Sequence, residues 1–220
     1  MIENKSLDLS NQIILYKIEE KVLSYLNKQL GTSSIENKDS YRRQQKEALW
    51  LLQNKKEYLL PKGRYVLTDE VRKLGQPVEQ EDIMAQFIVV LSCKEYKTDS
   101  ITEGFLIHLL QISYLNAVRE YIKESLLPGL YEFYFQEKAP FVTTYYGPGL
   151  FEQPLETMKS MVELVGADQM GVAMKGDSLY PACSFVGSLY VTRKRITQEI
   201  PCKKCKAQIG CEYCMIRQAR

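Results

Sequence analysis

The first sixty residues show helical apolar patterns that are separated by a polar break. Residues 13–31 carry apolar side chains at helical spacing, which predicts an amphipathic helix that ends at Gly31. A polar linker, residues 31–40, follows this helix. Residues 40–58 are charged but keep an apolar stripe, so they predict a second helix with Trp50 as a core anchor. We therefore expect this part of the chain to be helical.

The middle of the chain predicts a buried strand and then a long helix. Ile83–Ser92 is an almost continuous apolar run, dense in β-branched residues, which is typical of a central strand. Ser100 and Glu103 have the spacing of a helix capping box. The apolar run over residues 105–126 predicts the longest helix, which should cross the core, and Pro128 with its following glycine is expected to end it.

The segment after the long helix combines a turn, a helix and two short strands. Gly147-Pro148-Gly149 predicts a turn, because proline fixes φ and glycine accepts conformations that other residues avoid. Apolar spacing predicts a helix over residues 154–165 and strands over residues 170–174 and 185–191. A non-helical corner, Tyr180-Pro181-Ala182-Cys183-Ser184, joins the two strands.

Together these elements predict an α+β fold. We expect a single domain with a twisted, mainly antiparallel sheet flanked by helices, in which Ile83–Ser92 is central and residues 64–68 add a short strand. The domain is expected to span residues 1–192, with residues 1–40 as a helical lead-in. Residues 193–220 form a small basic tail that is expected to bind metal.

Composition narrows the class of protein. The net charge of +2 over 220 residues gives no argument for a nucleic-acid partner. No apolar run approaches the roughly 20 residues of a membrane span. The polar N-terminus lacks the apolar core of a signal peptide, so we expect a cytoplasmic protein without a membrane partner. The single histidine, His108, lies in an apolar run and is expected to pack in the core, which removes most histidine-based catalysis.

Cysteines supply the strongest chemical signal in the chain. Four of the six form the pattern C-x2-C-x5-C-x2-C in the tail: Cys202, Cys205, Cys211 and Cys214. Two CxxC pairs so close together can bring four thiolates to one centre, and a reducing cytoplasm favours metal ligation over disulfides. The short spacer suits a [4Fe–4S] cluster, with a tight structural zinc as the alternative. Cys93 and Cys183 are expected to be packed thiols that do not bind metal.

The segment that begins at the glycine-proline turn resembles a known family. Pro148-Gly149 is followed by Pro154-Leu155 with an amphipathic helix, and then by the corner that begins at Tyr180 and by Gly187. This order of P-G, P-L and aromatic-P-x-x-S-x-x-G resembles the activation domain of cobalamin-dependent methionine synthase, which also occurs as a stand-alone protein. A weaker likeness extends back to about residue 15.

The resemblance implies a ligand and a partner. The activation domain binds S-adenosylmethionine (SAM) and presents it to a corrinoid, while a flavodoxin-like donor supplies an electron. For this chain it implies a corrinoid-binding methyltransferase or methionine synthase as partner, which would hold the cobalamin, and a flavodoxin- or ferredoxin-like electron donor. The corresponding cofactor-binding residues are Tyr145, Tyr146, Gly147, Pro148, Gly149, Asn116 and Tyr180.

This chain departs from the family pattern at positions that the resemblance implies would contact SAM. The family carries an arginine where this chain has Tyr145 and a tyrosine where it has Leu150. Its long helix contributes a glutamate, whose place here falls on Asn116, one turn before Glu120. An arginine donates two hydrogen bonds to a carboxylate and a tyrosine only one, so about 1.5–3 kcal/mol of charge-assisted binding is lost. We therefore expect SAM binding to be weak.

Three functions fit these patterns. The first is a cytoplasmic accessory protein of corrinoid-dependent methyl transfer, which docks on a corrinoid protein and relays electrons through a C-terminal iron–sulfur cluster. The second is a non-catalytic binding module with a structural zinc, and the third is a SAM-binding activation subunit of methionine synthase. No side chain stands out as an acid, base or nucleophile, so we predict no catalytic residue.

Overall fold

The strand Ile83–Ser92 lies in the middle of an antiparallel sheet. The computed structural model of the protein describes residues 4–33, 38–69, 82–148 and 154–196. The helices are α1 (Gln12–Ser33), α2 (Lys38–Asn54), α3 (Lys56–Leu59), α4 (Ile101–Tyr121), α5 (Leu127–Phe135) and α6 (Thr157–Val165), with a π-helical turn at Ile122–Leu126 and a 3-10 turn at Ala167–Met170. The strands are β1 (Lys5–Ser6), β2 (Lys62–Thr68), β3 (Ile83–Ser92), β4 (Phe141–Val142), β5 (Ala173–Lys175), β6 (Ser178–Tyr180) and β7 (Ser184–Thr192).

Within the described residues, the main sheet has the order β1-β2-β3-β7-β4, and every neighbouring pair is antiparallel. The prediction of an α+β fold with a mainly antiparallel sheet and β3 at its centre is confirmed. β3 can occupy the centre because both of its faces are apolar: Phe87 and Val89 face one side, while Ile88 and Val90 face the other. β5 and β6 pair with each other as a separate hairpin.

Helices cover one face of the sheet as a continuous layer. The core between this helical layer and the sheet is built by α1, α4 and the odd-numbered positions of β3 and β7. Its buried residues include Ile18, Val22, Leu26, Leu110, Tyr114, Phe87, Val89 and Leu189. α1 packs along α4, which is buried around most of its circumference. The opposite face is covered by α6, through Met161, Val162 and Val165. The sheet is therefore buried between two helical layers.

The long helix does not end at Pro128. α4 continues through the π-helical turn into α5, which ends at Phe135, and Pro128 lies in the first turn of α5. The π-helical turn has the amide of Leu127 donating to the carbonyl oxygen of Ile122, and this wider backbone admits a proline at the following position. The predicted stop was wrong because the sequence gives no sign of that local widening.

Two core assignments made from the sequence are wrong. Trp50 is 54 % exposed, because α2 turns Ala48 and Leu51 toward the core and leaves Trp50 on its outer side. His108 is exposed on α4, whereas the neighbouring Leu106 and Ile107 are buried. Each of these residues lies in a short, mostly apolar run of its helix. Successive residues of a helix point in different directions, so such a run contains exposed as well as buried side chains.

Several boundaries also differ from the predicted ones. α1 continues past Gly31 to Ser33, and the predicted helix over residues 40–58 is broken at Lys55 into α2 and α3. The predicted strand over residues 170–174 is displaced to β5, because Gly171 has a φ of +78° and ends a 3-10 turn. The capping serine is confirmed, since Ser100 Oγ accepts a 3.2 Å hydrogen bond from the amide of Glu103.

Candidate functional site

The two halves of the sequence motif meet on β7. The amide of Tyr146 donates to the carbonyl oxygen of Ser188 at 2.8 Å, and the amide of Ser188 donates back to Tyr146 at 2.6 Å. This bridge places Tyr146, which directly precedes Gly147 and Pro148, at the edge of β7 that also pairs with β4. The segment with the glycine-proline turn and the strand that follows the corner are thus neighbours, although about forty residues separate them in the chain.

Gly187 makes this close approach possible. A Cβ at this position would lie 2.6 Å from Phe185 Cζ and 3.1 Å from the carbonyl oxygen of Tyr146. The first distance is well inside van der Waals contact with the tip of a side chain, and the second is a tight contact with the backbone of the bridge. A side chain at Gly187 would therefore strain the packing of the first motif half against the second.

Tyr145 faces the helical layer that contains α4. Its ring is 6 % exposed and lies edge-on to Phe185, with ring centroids 5.3 Å apart. The Tyr145 hydroxyl donates a 2.9 Å hydrogen bond to the backbone carbonyl oxygen of Arg119. Burial raises the pKa of Tyr145, so the phenol stays neutral and acts as a donor. The Tyr145 hydroxyl is thus already engaged inside the protein.

Arg119 brings a buried positive charge to this group of residues. Its guanidinium lies 4.1 Å from the ring centroid of Phe185 and 4.8 Å from that of Tyr145, which is the geometry of a cation–π contact. Arg119 Nη1 donates to Asn116 Oδ1 at 3.1 Å, and Arg119 is 8 % exposed. Asn116 and Tyr145 are therefore brought together through Arg119, which sequence reasoning missed. The only signal was a charged residue inside the apolar pattern of α4.

Glu120 faces away from this group and toward α1. Lys21 Nζ lies 2.7 Å from its carboxylate, and the Tyr25 hydroxyl donates to the same group. Burial opposes the ionisation of Glu120, but the hydrogen bonds from Lys21 and Tyr25 outweigh it and lower the pKa of the carboxyl. Glu120 holds α1 against α4 and takes no part in the group around Tyr145.

Tyr146 lies on the opposite face of the sheet from Tyr145, since successive side chains alternate along an extended segment. Its buried ring packs against Tyr190, with centroids 5.4 Å apart. The Tyr190 hydroxyl lies 3.4 Å from both Gln86 Nε2 and Ser188 Oγ. Burial raises the pKa of Tyr146 and of Tyr190, so both phenols stay neutral. Tyr145 and Tyr146 thus lie in different environments on opposite faces of the sheet and do not line one cleft.

Tyr180 is placed at the other end of β7. It ends β6, and its hydroxyl donates a 2.6 Å hydrogen bond to Glu95 Oε2, while Lys175 Nζ lies 3.5 Å from its ring centroid. Ser184 Oγ donates to the carbonyl oxygen of Pro181 at 2.7 Å and lies 2.8 Å from Ser92 Oγ. The corner is thereby tied to the end of β3, and its tyrosine belongs to a polar surface group.

The remaining predicted residues fall outside the described part of the chain. Gly149, Leu150 and the four tail cysteines lie there. Residues 4–33, 38–69, 82–148 and 154–196 contain no group of three or more metal-ligating side chains. The first tail residues are described: the Arg193 amide donates to the carbonyl oxygen of Asp82 at 2.9 Å, and Lys194 pairs with the Asp82 carboxylate at 3.1 Å. The chain is thus held to the domain up to Lys194.

A groove of about 610 Å³ lies at the opposite edge of the main sheet, beside β1 and β2. Leu9, Pro61 and Met170 contribute apolar surface, while Lys56 and Lys62 contribute charge. It contains none of the residues predicted from the sequence motif. In the same described ranges, no helix is long and apolar enough to cross a lipid bilayer.

Comparison with known proteins does not assign the chain to a family. No protein-family model matches it, and no curated protein matches it at a significant level.

Proposed function

We propose that the protein is an accessory factor of corrinoid-dependent methyl transfer, which docks on a corrinoid protein and carries electrons through its four-cysteine tail. The observation that carries the proposal is the C-x2-C-x5-C-x2-C spacing of the tail, which suits a single four-thiolate centre. The contact between Tyr146 and Ser188 adds support, since it brings together the two motif halves that resemble the activation domain.

The donor set fits an iron–sulfur cluster. Four thiolates are soft ligands, and such ligands select Fe–S clusters or zinc over hard cations. The residues that would hold the cluster are Cys202, Cys205, Cys211 and Cys214. A bound cluster supplies one-electron transfer, whereas zinc would give the tail a structural role only. Lysines between these cysteines and arginines on either side of them offset the thiolate charge and favour an acidic redox partner.

The packing around Tyr145 favours docking over delivery of SAM. The guanidinium of Arg119 lies beside Tyr145, where the resemblance implies a carboxylate-binding residue, but it is buried, stacked on two rings and bonded to Asn116. These contacts leave Arg119 little exposed surface for a ligand carboxylate. The SAM-binding activation subunit is therefore the weaker candidate.

We place the docking surface on the sheet edge formed by β4 and the Gly147-Pro148 segment. β4 is the last strand of the main sheet among the described residues, and its Phe141 is 41 % exposed. An exposed aromatic residue on a strand edge is typical of a protein contact. Phe141→Glu should weaken binding to the corrinoid protein by at least tenfold. Trp50→Glu, on the outer side of α2, is the matched control and should leave binding unchanged.

Metal analysis of anaerobically purified protein tests the proposal most directly. A brown protein with about four iron and four sulfide per chain would support the electron-carrying role. A colourless protein with one zinc would reject that role and favour a binding module. Faster reductive methylation of a cobalamin-dependent methyltransferase by the wild-type protein, but not by Cys205→Ser, would support the partner. No effect on corrinoid reduction with a suitable donor would count against it.

A further inference from the structure

Cys93 and Cys183 form a cross-strand pair at the end of the β3–β7 ladder. Ser92 pairs with Ser184, so the antiparallel register continues to place Cys93 opposite Cys183. The amide of Cys93 donates a 2.9 Å hydrogen bond to the carbonyl oxygen of Cys183, which holds the two backbones at ladder distance. Directly opposed residues in such a pair have Cα atoms about 5.5 Å apart, within the range that a disulfide spans.

Both thiols point to the same side of the sheet. Cys93 and Cys183 belong to the core cluster under α4, and they are 1 % and 8 % exposed. The Cys93 thiol donates to the carbonyl oxygen of Leu59 at 3.4 Å. Its hydrogen bond with the Cys183 side chain, followed by burial, raises the pKa of Cys93. Because opposed residues of an antiparallel pair project from the same face, the two side chains are neighbours, and Cys183 is the one closer to solvent.

We propose that Cys93 and Cys183 are a reversible disulfide site, which forms when the protein meets a thiol oxidant such as glutathione disulfide. Cys183 loses its proton and attacks one sulfur of glutathione disulfide. The S–S bond of the oxidant breaks, and one glutathione leaves as a thiol. Cys93 then loses its proton and attacks the Cys183 sulfur, which releases the second glutathione. The protein gives up two electrons and two protons, and the oxidant becomes two molecules of reduced glutathione.

The disulfide would fix the corner that precedes β7. Ser184 and Ser92 already hold this corner to the end of β3 through their side chains, so the new bond would reinforce an existing contact and require little movement. It would also close a loop of about 90 residues, which restricts the unfolded chain. The site is independent of the metal tail and goes beyond the proposed electron-carrying function.

Peptide mapping of the full-length wild-type protein tests the site. The protein is incubated with glutathione disulfide, its free thiols are alkylated under denaturing conditions, and the digest is analysed by mass spectrometry. We expect a linked peptide that joins Cys93 to Cys183 and disappears after treatment with dithiothreitol. Recovery of both residues as alkylated thiols would overturn the proposal. So would Cys183 found only as a mixed disulfide or joined to a tail cysteine.

A measurement of thermal stability distinguishes the disulfide between Cys93 and Cys183 from oxidation of the other cysteines. Oxidation of the wild-type protein should raise the Tm by roughly 5–15 °C, because the bond closes a long loop. Cys183→Ser keeps every tail cysteine but cannot form the bond, so oxidation should leave its Tm unchanged. An equal rise in this variant would place the effect in the tail and overturn the proposal.

Discussion

The hydroxyl of Tyr145 donates a 2.9 Å hydrogen bond to the backbone carbonyl oxygen of Arg119, and this bond fastens the segment before the Gly147-Pro148 turn to α4. The same arginine lays its guanidinium over Phe185 of β7. One residue of the long helix thus contacts both halves of the sequence motif. The arrangement makes Arg119 a structural centre of the candidate site and leaves it little freedom to bind a ligand.

Tyr145→Phe tests this hydrogen bond. The variant keeps the buried ring but leaves the Arg119 carbonyl oxygen without the phenol donor, so we expect the free energy of unfolding to fall by about 1 kcal/mol. Tyr180→Phe is the matched control, because its hydroxyl bonds to Glu95 at the surface, and it should change stability less. Urea unfolding measures both. An equal loss of unfolding free energy in the two variants would show that the buried hydrogen bond contributes no more to stability than the exposed one.

Gly187→Ala tests the contact between the motif halves. The new methyl group would lie 2.6 Å from Phe185 Cζ and 3.1 Å from the Tyr146 carbonyl oxygen, so we expect a loss of about 1–3 kcal/mol. Gly129→Ala is the control: it lies in α5 with no atom near its added Cβ, and should gain about 0.5–1 kcal/mol from helix propensity. Thermal unfolding distinguishes the opposite signs. A neutral Gly187→Ala would mean that the bridge can shift to make room.

Sequence reasoning found the sheet but not the surroundings of the site. Ile83–Ser92 was predicted with its observed bounds because a strand buried on both faces leaves a continuous apolar run. Arg119 and Phe185 gave no such signal, since their contact depends on how α4 crosses β7. Pro128 was wrongly predicted to end the long helix for a related reason. Whether a proline ends a helix depends on the backbone of the preceding turn, which the amino-acid sequence does not reveal here.

The pH dependence of stability should report the contact between α1 and α4. The pKa of Glu120 is lowered in the folded protein from its ordinary value of 4.5, so its stabilising effect is present above that value and is lost as the pH falls through the folded pKa. Glu120→Gln should lower stability by about 0.5 kcal/mol near pH 7, since solvent screens this half-exposed pair. The difference from wild type should vanish at acid pH, below the folded pKa of Glu120.

Glu132→Gln serves as the control for this pH dependence. Glu132 is an exposed residue of α5 and forms no ion pair with the described part of the chain. Its substitution should leave stability unchanged at both pH values, as measured by urea unfolding. If Glu120→Gln differs from wild type as much at low pH as at neutral pH, the effect comes from packing and not from the charge of Glu120.

SAM should bind with a dissociation constant above about 1 mM. The Tyr145 hydroxyl donates to the backbone, Arg119 is covered by two rings, and Glu120 faces α1. None of these three described residues is therefore placed to pair with the charged groups of the SAM amino acid. Isothermal titration calorimetry measures the affinity directly. Micromolar binding would contradict this account and would require contacts from residues other than these three.

The last prediction separates the tail from the folded domain. The two larger core clusters are built from residues between Leu9 and Val191, so the described domain has its own core. Cys205→Ser removes one of four thiolate ligands and should abolish metal content, while the far-UV circular dichroism spectrum changes little. X-ray absorption of the wild-type protein should show four sulfur atoms at about 2.3 Å from the metal.

Cys183→Ser is the control for the metal prediction, because it alters a thiol of the domain core and should retain the metal. Loss of metal in this variant would mean that a cysteine of the domain completes the site. Unfolding of the whole protein by Cys205→Ser would contradict the division near residue 192, since a tail that only carries metal has no role in the core. Retention of the fold together with loss of metal is the result that the two-part organisation requires.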